Sequence, residues 1–179
     1  MLFMPLIIAA GFATGSPAVV PDPLLVRPRH AAIDDATIVA IFDVANTYDI
    51  ETASIAVKKA TTTDIRDFAS MLVRAHTDAR AKGRALAARL HVTPTPPAVN
   101  PLKASHDSAM TRLRSLNGKA FDRAFLENEV AYHKTVIAAV QNTFLPAIQN
   151  AELKSFVTNI APVFVQHEQV AEKLLADMK

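Results

Sequence analysis

Glycine and proline, the two residues that interrupt helices, are nearly absent from long stretches of this chain, and this limits it to helical folds. Of the 179 residues 32 are Ala, and after position 15 the only glycines are Gly83 and Gly118. Ala is the strongest helix former, whereas Gly and Pro in a helix interior cost about 1 and about 3 kcal/mol. From residue 33 onward the prolines fall in one cluster and at two single positions, so long uninterrupted segments remain. The fold class that follows is all-α.

Within these segments apolar residues recur at three- and four-residue spacing, which predicts four long helices. The helices span about residues 33–59, 64–90, 118–145 and 150–179. Short turns join the helices of each pair, whereas residues 91–117 form a long connection that is Pro-rich at first and then carries a short amphipathic segment. Such a connection can cross the whole bundle. The prediction is a ferritin-like four-helix bundle with a long middle crossover carrying a short extra helix, and an up-down-up-down bundle is the rival topology.

Composition excludes several classes of function. The formal net charge is only +2, too small for the basic surface that nucleic-acid binding by charge requires. The chain has no Cys, which excludes disulfides, thiolate nucleophiles and Cys-ligated zinc, so His and carboxylate side chains would have to hold any metal. The basic residues of the second predicted helix indicate a solvated face, with weak association with an anionic membrane surface as the alternative. They are Arg66, Arg74, Arg80, Lys82, Arg84 and Arg89.

The N-terminus has the pattern of an export signal. Residues 2–13 form an apolar run of 12 residues, the length of a signal-peptide hydrophobic region and too short to span a bilayer. Small residues follow, and we expect cleavage after Ala18, a Pro-containing linker at 19–32 and a folded domain at 33–179 in the periplasm or outside the cell. No Lys or Arg precedes the run, and the alternative is a buried N-terminal segment of the fold.

Three histidines lie where helical periodicity places apolar residues. At 100° per residue, His76, His133 and His167 each fall in the middle of a stripe of Ala, Val, Leu, Ile and Phe. Glu129 shares the stripe of His133, and Glu51 lies along the edge of the stripe on the first helix. Because a buried carboxylate without a partner is unstable, these glutamates need cations or protons.

These five residues predict a metal site. A single buried His is more often a neutral core residue, but imidazole is a common metal ligand and bundle interiors build metal sites from facing helices. If the long connection crosses the bundle, all five lie about 9 to 15 residues from one end, or roughly 14 to 23 Å along the helices. The predicted ligands are therefore Glu51, His76, Glu129, His133 and His167.

A set of short motifs accompanies these residues in order. They are Glu51 before an Ala-rich turn, the run 68–73 leading to His76, Phe121-Asp122 and Glu129 leading to His133, and Ala161-Pro162 leading to His167. This order resembles the bacterial domain-of-unknown-function family 4142, exported proteins placed in the ferritin-like superfamily, over residues 33–177. The family commonly has Asp just before the histidine of the second helix. Here that position is Ala75, so a hydrogen-bond acceptor for His76 must come from elsewhere.

The resemblance also bears on the number of ions. The ferritin-like di-iron pattern places a carboxylate three residues before each of two histidines. Here the residues three before His76, His133 and His167 are Val73, Val130 and Phe164. A single ion held by the three histidines and Glu51, with Glu129 as a ligand or a nearby base, fits better than a di-iron centre. Zinc suits this donor set, and iron, manganese and copper are the alternatives.

Three classes of function follow from these features. The favoured one is an exported metal-binding protein with a structural or storage role, for example under stress. The others are a metal-dependent redox or hydrolytic enzyme and a metal-free helical interaction module. No catalytic triad, phosphate loop or dinucleotide fingerprint is present in the sequence, so no catalytic residue is assigned. The remaining histidines, His30, His91 and His106, are expected to be exposed to solvent.

Overall fold

The computed structural model describes residues 33–178, in which all regular structure is helical and no β-strand occurs. Its helices are α1 (Asp35–Lys59), α2 (Thr63–Arg89), α3 (Lys103–Ser115), α4 (Gly118–Ala139), the three-residue α5 (Leu145–Ala147) and α6 (Ala151–Asp177). The prediction of an all-α fold with four long helices and one short helix in the long connection is confirmed. The predicted signal peptide and the linker lie outside the described residues.

Polar side chains fix where three of the long helices begin. Asp34 accepts a hydrogen bond from the backbone N–H of Thr37 at 2.8 Å, and Thr62 caps α2 in the same way. Asn150 accepts from the backbone N–H groups of Glu152 and Leu153, at 2.9 and 3.1 Å. These caps satisfy N–H groups that have no partner within a helix, and they place the starts close to the predicted positions.

The long helices pack as two hairpins, α1 with α2 and α4 with α6. The turn between α1 and α2 lies beside the start of α4, because Asp122 accepts the backbone N–H of Thr61 at 3.0 Å and also the Thr61 hydroxyl. At the opposite end, Asp35 accepts the backbone N–H groups of Gln149 and Asn150, at 2.9 and 2.8 Å. Both α2 and α4 therefore start at the same end, and residues 90–117 return along the length of the bundle.

The short helix α3 lies in this returning segment and packs on α1 and α4. Its end is held by Lys59, whose Nζ donates to the carbonyl oxygens of Leu113 and Arg114, at 3.1 Å each. Leu113 is buried in the core. The chain then turns into α4 at Gly118, whose φ of 62° is in the left-handed region that favours glycine.

Three apolar clusters fill the core, one toward each end of the bundle and a smaller one made of Phe42, Ala79 and Phe164. The cluster nearer the α1–α2 turn includes Phe68, Leu72, Phe121, Phe125 and Leu126. The cluster nearer the opposite end includes Ile38, Leu86, Val140, Phe144 and Leu153. On each long helix, buried polar residues lie between these two clusters. None of the described helices is long and apolar enough to span a membrane.

Asp122→Ala should lower the free energy of unfolding by about 2–3 kcal/mol, because it leaves the N–H and hydroxyl of Thr61 without their charged acceptor. Urea denaturation at neutral pH measures this loss. The control is Glu127→Ala on the same helix, whose carboxylate is exposed and paired with Arg112, and which should cost less than about 1 kcal/mol. Equal losses in the two variants would contradict the role given to Asp122 in joining the hairpins.

Candidate metal centre

Five ionisable side chains from all four long helices meet in the buried layer between the apolar clusters. They are Asp49 of α1, His76 of α2, Glu129 and His133 of α4, and His167 of α6, and each is 4% exposed or less. Two overlapping groups have ligand atoms that all lie within 4.8 Å of one another. One is His76, His133 and His167, and the other is Asp49, Glu129 and His133.

The closest approaches converge on one carboxylate oxygen and the imidazole nitrogens. Asp49 Oδ2 lies 3.5 Å from His76 Nε2 and 3.6 Å from His133 Nε2. His76 Nε2 lies 3.2 Å from His167 Nδ1. Donor atoms this close together can be bridged by one cation.

The orientation of His76 is fixed by Asn46, one turn before Asp49 on α1. The Asn46 side-chain amide donates to the carbonyl oxygen of Phe42 at 2.7 Å, which leaves its Oδ1 to face His76 Nδ1 at 2.9 Å. Since an amide oxygen only accepts, Nδ1 carries the proton and Nε2 presents a lone pair to the cluster. A hydrogen bond of this kind at the far nitrogen is typical of a metal-ligating histidine.

His133 is held in the same tautomer by the backbone. Its Nδ1 lies 2.9 Å from the carbonyl oxygen of Glu129, one turn earlier on α4, and must donate the proton of that bond. The Nε2 lone pair therefore also points into the cluster, where it has no hydrogen-bond partner. His167 differs, because its only hydrogen bond among the described residues is the contact with His76.

The two carboxyl groups lack the donors that buried carboxylates need. Both oxygens of Asp49 and Oε2 of Glu129 have no hydrogen-bond partner, and Glu129 Oε1 accepts from Asn128 and from Thr52, each at 3.2 Å. With His133 Nε2, these three oxygens are the buried side-chain nitrogen and oxygen atoms that lack a partner in residues 33–178. All four atoms belong to this cluster.

Burial shifts the protonation of every member toward its neutral form. It raises the pKa of Asp49 well above its usual range, and the charge of Glu129 raises it further. It raises the pKa of Glu129 to about 7, although the hydrogen bonds from Asn128 and Thr52 oppose the shift. The pKa values of His133 and His167 fall to about 4, and that of His76 falls well below its usual range. Without a cation, burial therefore favours neutral imidazoles and the protonated form of Asp49.

Comparison with known proteins assigns the family. Residues 25–174 match the family described as "Domain of unknown function (DUF4142)". The chain belongs to the DUF4142 family. The resemblance drawn from the sequence motifs is thereby confirmed.

A solved structure supports the helical architecture of this DUF4142 chain. The crystal structure of a DUF305 fragment from Deinococcus radiodurans superposes with a TM-score of 0.69 at 16% sequence identity, and the match covers 79% of this chain and 94% of that chain. At this identity the similarity concerns the fold alone. No curated protein matches the chain.

Four of the five residues singled out from the sequence lie in the cluster, and Glu51 does not. The side chain of Glu51 is 47% exposed, and its Oε2 lies 2.8 Å from His106 Nε2. The carboxylate that α1 contributes is that of Asp49, two residues earlier and about 160° away around the helix. Asn46 supplies the hydrogen-bond acceptor for His76 that Ala75 cannot provide.

The expectation that His106 is exposed is wrong. This side chain is 8% exposed, and its ring stacks on Tyr48 with the centroids 3.8 Å apart. It became buried because α3 packs against α1, a contact between segments about 55 residues apart that periodicity within one helix does not show.

Asp49→Asn should make the free energy of unfolding of the metal-free protein depend less on pH. Because the pKa of Asp49 is higher in the folded than in the unfolded chain, raising the pH above about 4 favours the unfolded state by up to about 1.4 kcal/mol per pH unit. Asn does not titrate. The free energy of unfolding of the variant relative to the wild type should therefore increase from pH 5 to pH 8 in chelator-treated samples.

Urea denaturation at each pH measures this difference. The matched control is Asp107→Asn on α3, where the carboxylate is exposed and paired with Lys103. The difference in free energy of unfolding between this control and the wild type should not change from pH 5 to pH 8. If the difference in free energy of unfolding between Asp49→Asn and the wild type also did not change with pH, the raised pKa assigned to Asp49 would be contradicted.

Proposed function

We propose that this protein is an exported metal-binding helical bundle of ferritin-like type, whose single buried ion has a structural or storage role. One observation carries the proposal, namely that the buried atoms without hydrogen-bond partners in the described residues all belong to one cluster of His and carboxylate side chains. Each such atom costs about 1–3 kcal/mol, and more when charged. A divalent cation at this point would satisfy them together.

The donor chemistry favours zinc. His76 and His133 each present an Nε2 lone pair, His167 completes a group of three imidazoles, and Asp49 Oδ2 lies 3.5 and 3.6 Å from the first two. Zinc takes four such donors in tetrahedral geometry, while iron, manganese and copper also accept imidazole. Together the negative charges of Asp49 and Glu129 would balance a divalent ion, which gives a reason for two acids in this layer.

The burial of the cluster favours a structural or storage role. Donors that are 4% exposed or less would shield an ion from solvent, and donors on all four long helices would let it link the two hairpins. Binding to the folded state alone stabilises a protein by mass action. A metal-dependent enzyme is the second candidate, favoured by a cavity of about 110 Å³ that reaches Asp49. In a metal-free interaction module, a proton on Asp49 would supply only some of the missing hydrogen bonds of the cluster.

The purified protein should hold about one equivalent of a divalent metal, with zinc expected. Elemental analysis after purification without chelator or metal-affinity resin measures it, beside a His76→Ala/His133→Ala variant that should hold none. Glu51→Ala is the control, because the exposed Glu51 lies outside the cluster and its loss should leave the stoichiometry unchanged. Absence of metal in the wild type, with no gain in thermal stability on adding zinc, iron, manganese or copper, would refute the proposal.

Export is part of the proposal and rests on the apolar run at residues 2–13 followed by the small residues up to Ala18. Expression of the full chain in a bacterial host should give a periplasmic product whose N-terminal sequence starts at Val19. Cell fractionation and N-terminal sequencing measure this. A Leu6→Arg/Ile8→Arg variant should stay uncleaved in the cytoplasm, and an uncleaved cytoplasmic wild type would refute export.

A further inference from the structure

We infer that a partly hydrated divalent cation reaches the buried cluster through the cavity between α1, α3 and α4, and not through the groove between α2 and α6. The inference rests on the proposed function, since it concerns the approach to the same site. Three cavities among the described residues reach the cluster, and the third, of about 20 Å³, lies against His76 and His133 behind apolar side chains. The cavity ends on Asp49, and the groove ends on His167.

The cavity beneath α3 has several residues with hydroxyl or amide groups in its lining, and Asp49, whose side chain is fully buried, lies in its inner wall. Its polar lining residues include Tyr48, Thr52, Ser105, Asn128 and Thr135, and Asp49 forms its inner end. Both Asp49 oxygens lack a hydrogen-bond partner, although the side chain is fully buried. Hydroxyl and amide oxygens can replace part of the hydration shell of a cation, and the carboxylate attracts it inward.

Negative charge also lies near the outer part of this cavity. His106 lines the cavity and bonds through Nε2 to the exposed carboxylate of Glu51. No Lys or Arg lines the cavity. An approaching cation therefore meets one acidic side chain near the surface and a second one at the inner end. In this arrangement the exposed Glu51 lies outside the cluster, near the outer part of the cavity.

The groove between α2 and α6 is larger, and it lacks a buried carboxylate in its lining. It has a volume of about 410 Å³, and four of its lining residues are Phe156, Ile160, Val163 and Phe164. The charges of Lys82 and Asp78, both exposed residues that line it, cancel each other. Phe164 also stacks on the ring of His76, with centroids 5.6 Å apart, and covers this histidine from that side.

The cavity has room for a cation that has lost part of its water. Its volume of about 110 Å³ corresponds to three or four water molecules at roughly 30 Å³ each. A passage of this size should be blocked by one large side chain on its wall. Blocking a passage slows entry and exit by the same factor, because it raises the barrier between two states whose free energies stay the same.

The test uses cobalt(II) as the probe, because its absorption spectrum reports coordination by imidazole and carboxylate. Stopped-flow absorbance gives the loading rate of the metal-free protein, and mixing the loaded protein with excess EDTA gives the release rate. Two variants narrow the cavity from opposite walls, Ala109→Phe on α3 and Thr135→Phe on α4. The matched control, Val163→Phe, adds the same side chain to the groove at a residue that is 37% exposed.

We expect loading and release at least tenfold slower in both cavity variants, with an unchanged Kd, and wild-type rates in Val163→Phe. Cavity variants that load at or above the wild-type rate would overturn the inference, and so would slower loading in Val163→Phe. Thr135 is exposed, so its variant carries the test if Ala109→Phe does not fold. A wild type that binds neither cobalt nor zinc would refute the proposed function itself, whereas one bound equivalent with unaltered rates would refute only the passage.

Discussion

Two carboxyl groups and three imidazole rings are removed from water in the middle of the bundle, and the cost of keeping them there depends on what fills the space between them. A carboxylate buried without donors is unstable, so in the metal-free cluster burial favours the protonated form of the acids and the neutral, singly protonated form of the imidazoles. A divalent cation reverses this condition, because it replaces the acid protons and uses the imidazole lone pairs. The same atoms that destabilise the metal-free fold would then stabilise the loaded one.

Neighbouring groups determine which way the imidazoles point. The chain of hydrogen bonds from His76 through Asn46 to the carbonyl of Phe42 holds one ring, and the Glu129 carbonyl holds the ring of His133. Both interactions place a proton on Nδ1 and a lone pair on Nε2 before any ion binds. If an ion binds, this would lower the cost of ordering these side chains. His167 has no comparable partner in the described residues, so an ion would have to hold this ring itself.

Much of this arrangement could be predicted from the sequence, and the exceptions have physical causes. His76, His133 and His167 lie among large apolar residues, so periodicity placed them in the core. On α1 the buried face is made largely of small residues, Ala45, Ala53 and Ala56 among them, which allow close packing against α2. The stripe that residue spacing predicts on this helix runs through the bulkier Ile41, Val44, Tyr48 and Ile55, and it is therefore rotated toward Glu51.

A different criterion would have found the carboxylate of α1. The positions three, four and seven residues from Asp49 are all buried, and they hold Phe42, Ala45, Asn46, Thr52, Ala53 and Ala56. Among these only Phe42 is large, so a hydrophobicity scale gives the stripe little weight. If small residues had been counted as packing positions, the predicted buried stripe of α1 would have been centred on Asp49. The burial of His106 was beyond any such criterion, because it depends on where the returning segment docks.

The direction of that returning segment determines whether the cluster can form at all. With α2 and α4 starting at the same end, Glu129 and His133 come level with His76, whereas an up-down-up-down arrangement would offset His167 from Asp49 by roughly 9 Å. The hydrogen bonds from Thr61 to Asp122 and from Gln149 and Asn150 to Asp35 hold the hairpins in this relation at both ends. The segment that makes the crossover also lays α3 over Asp49. One connection thus aligns the ligands on four helices and forms the outer wall of the cavity beside them.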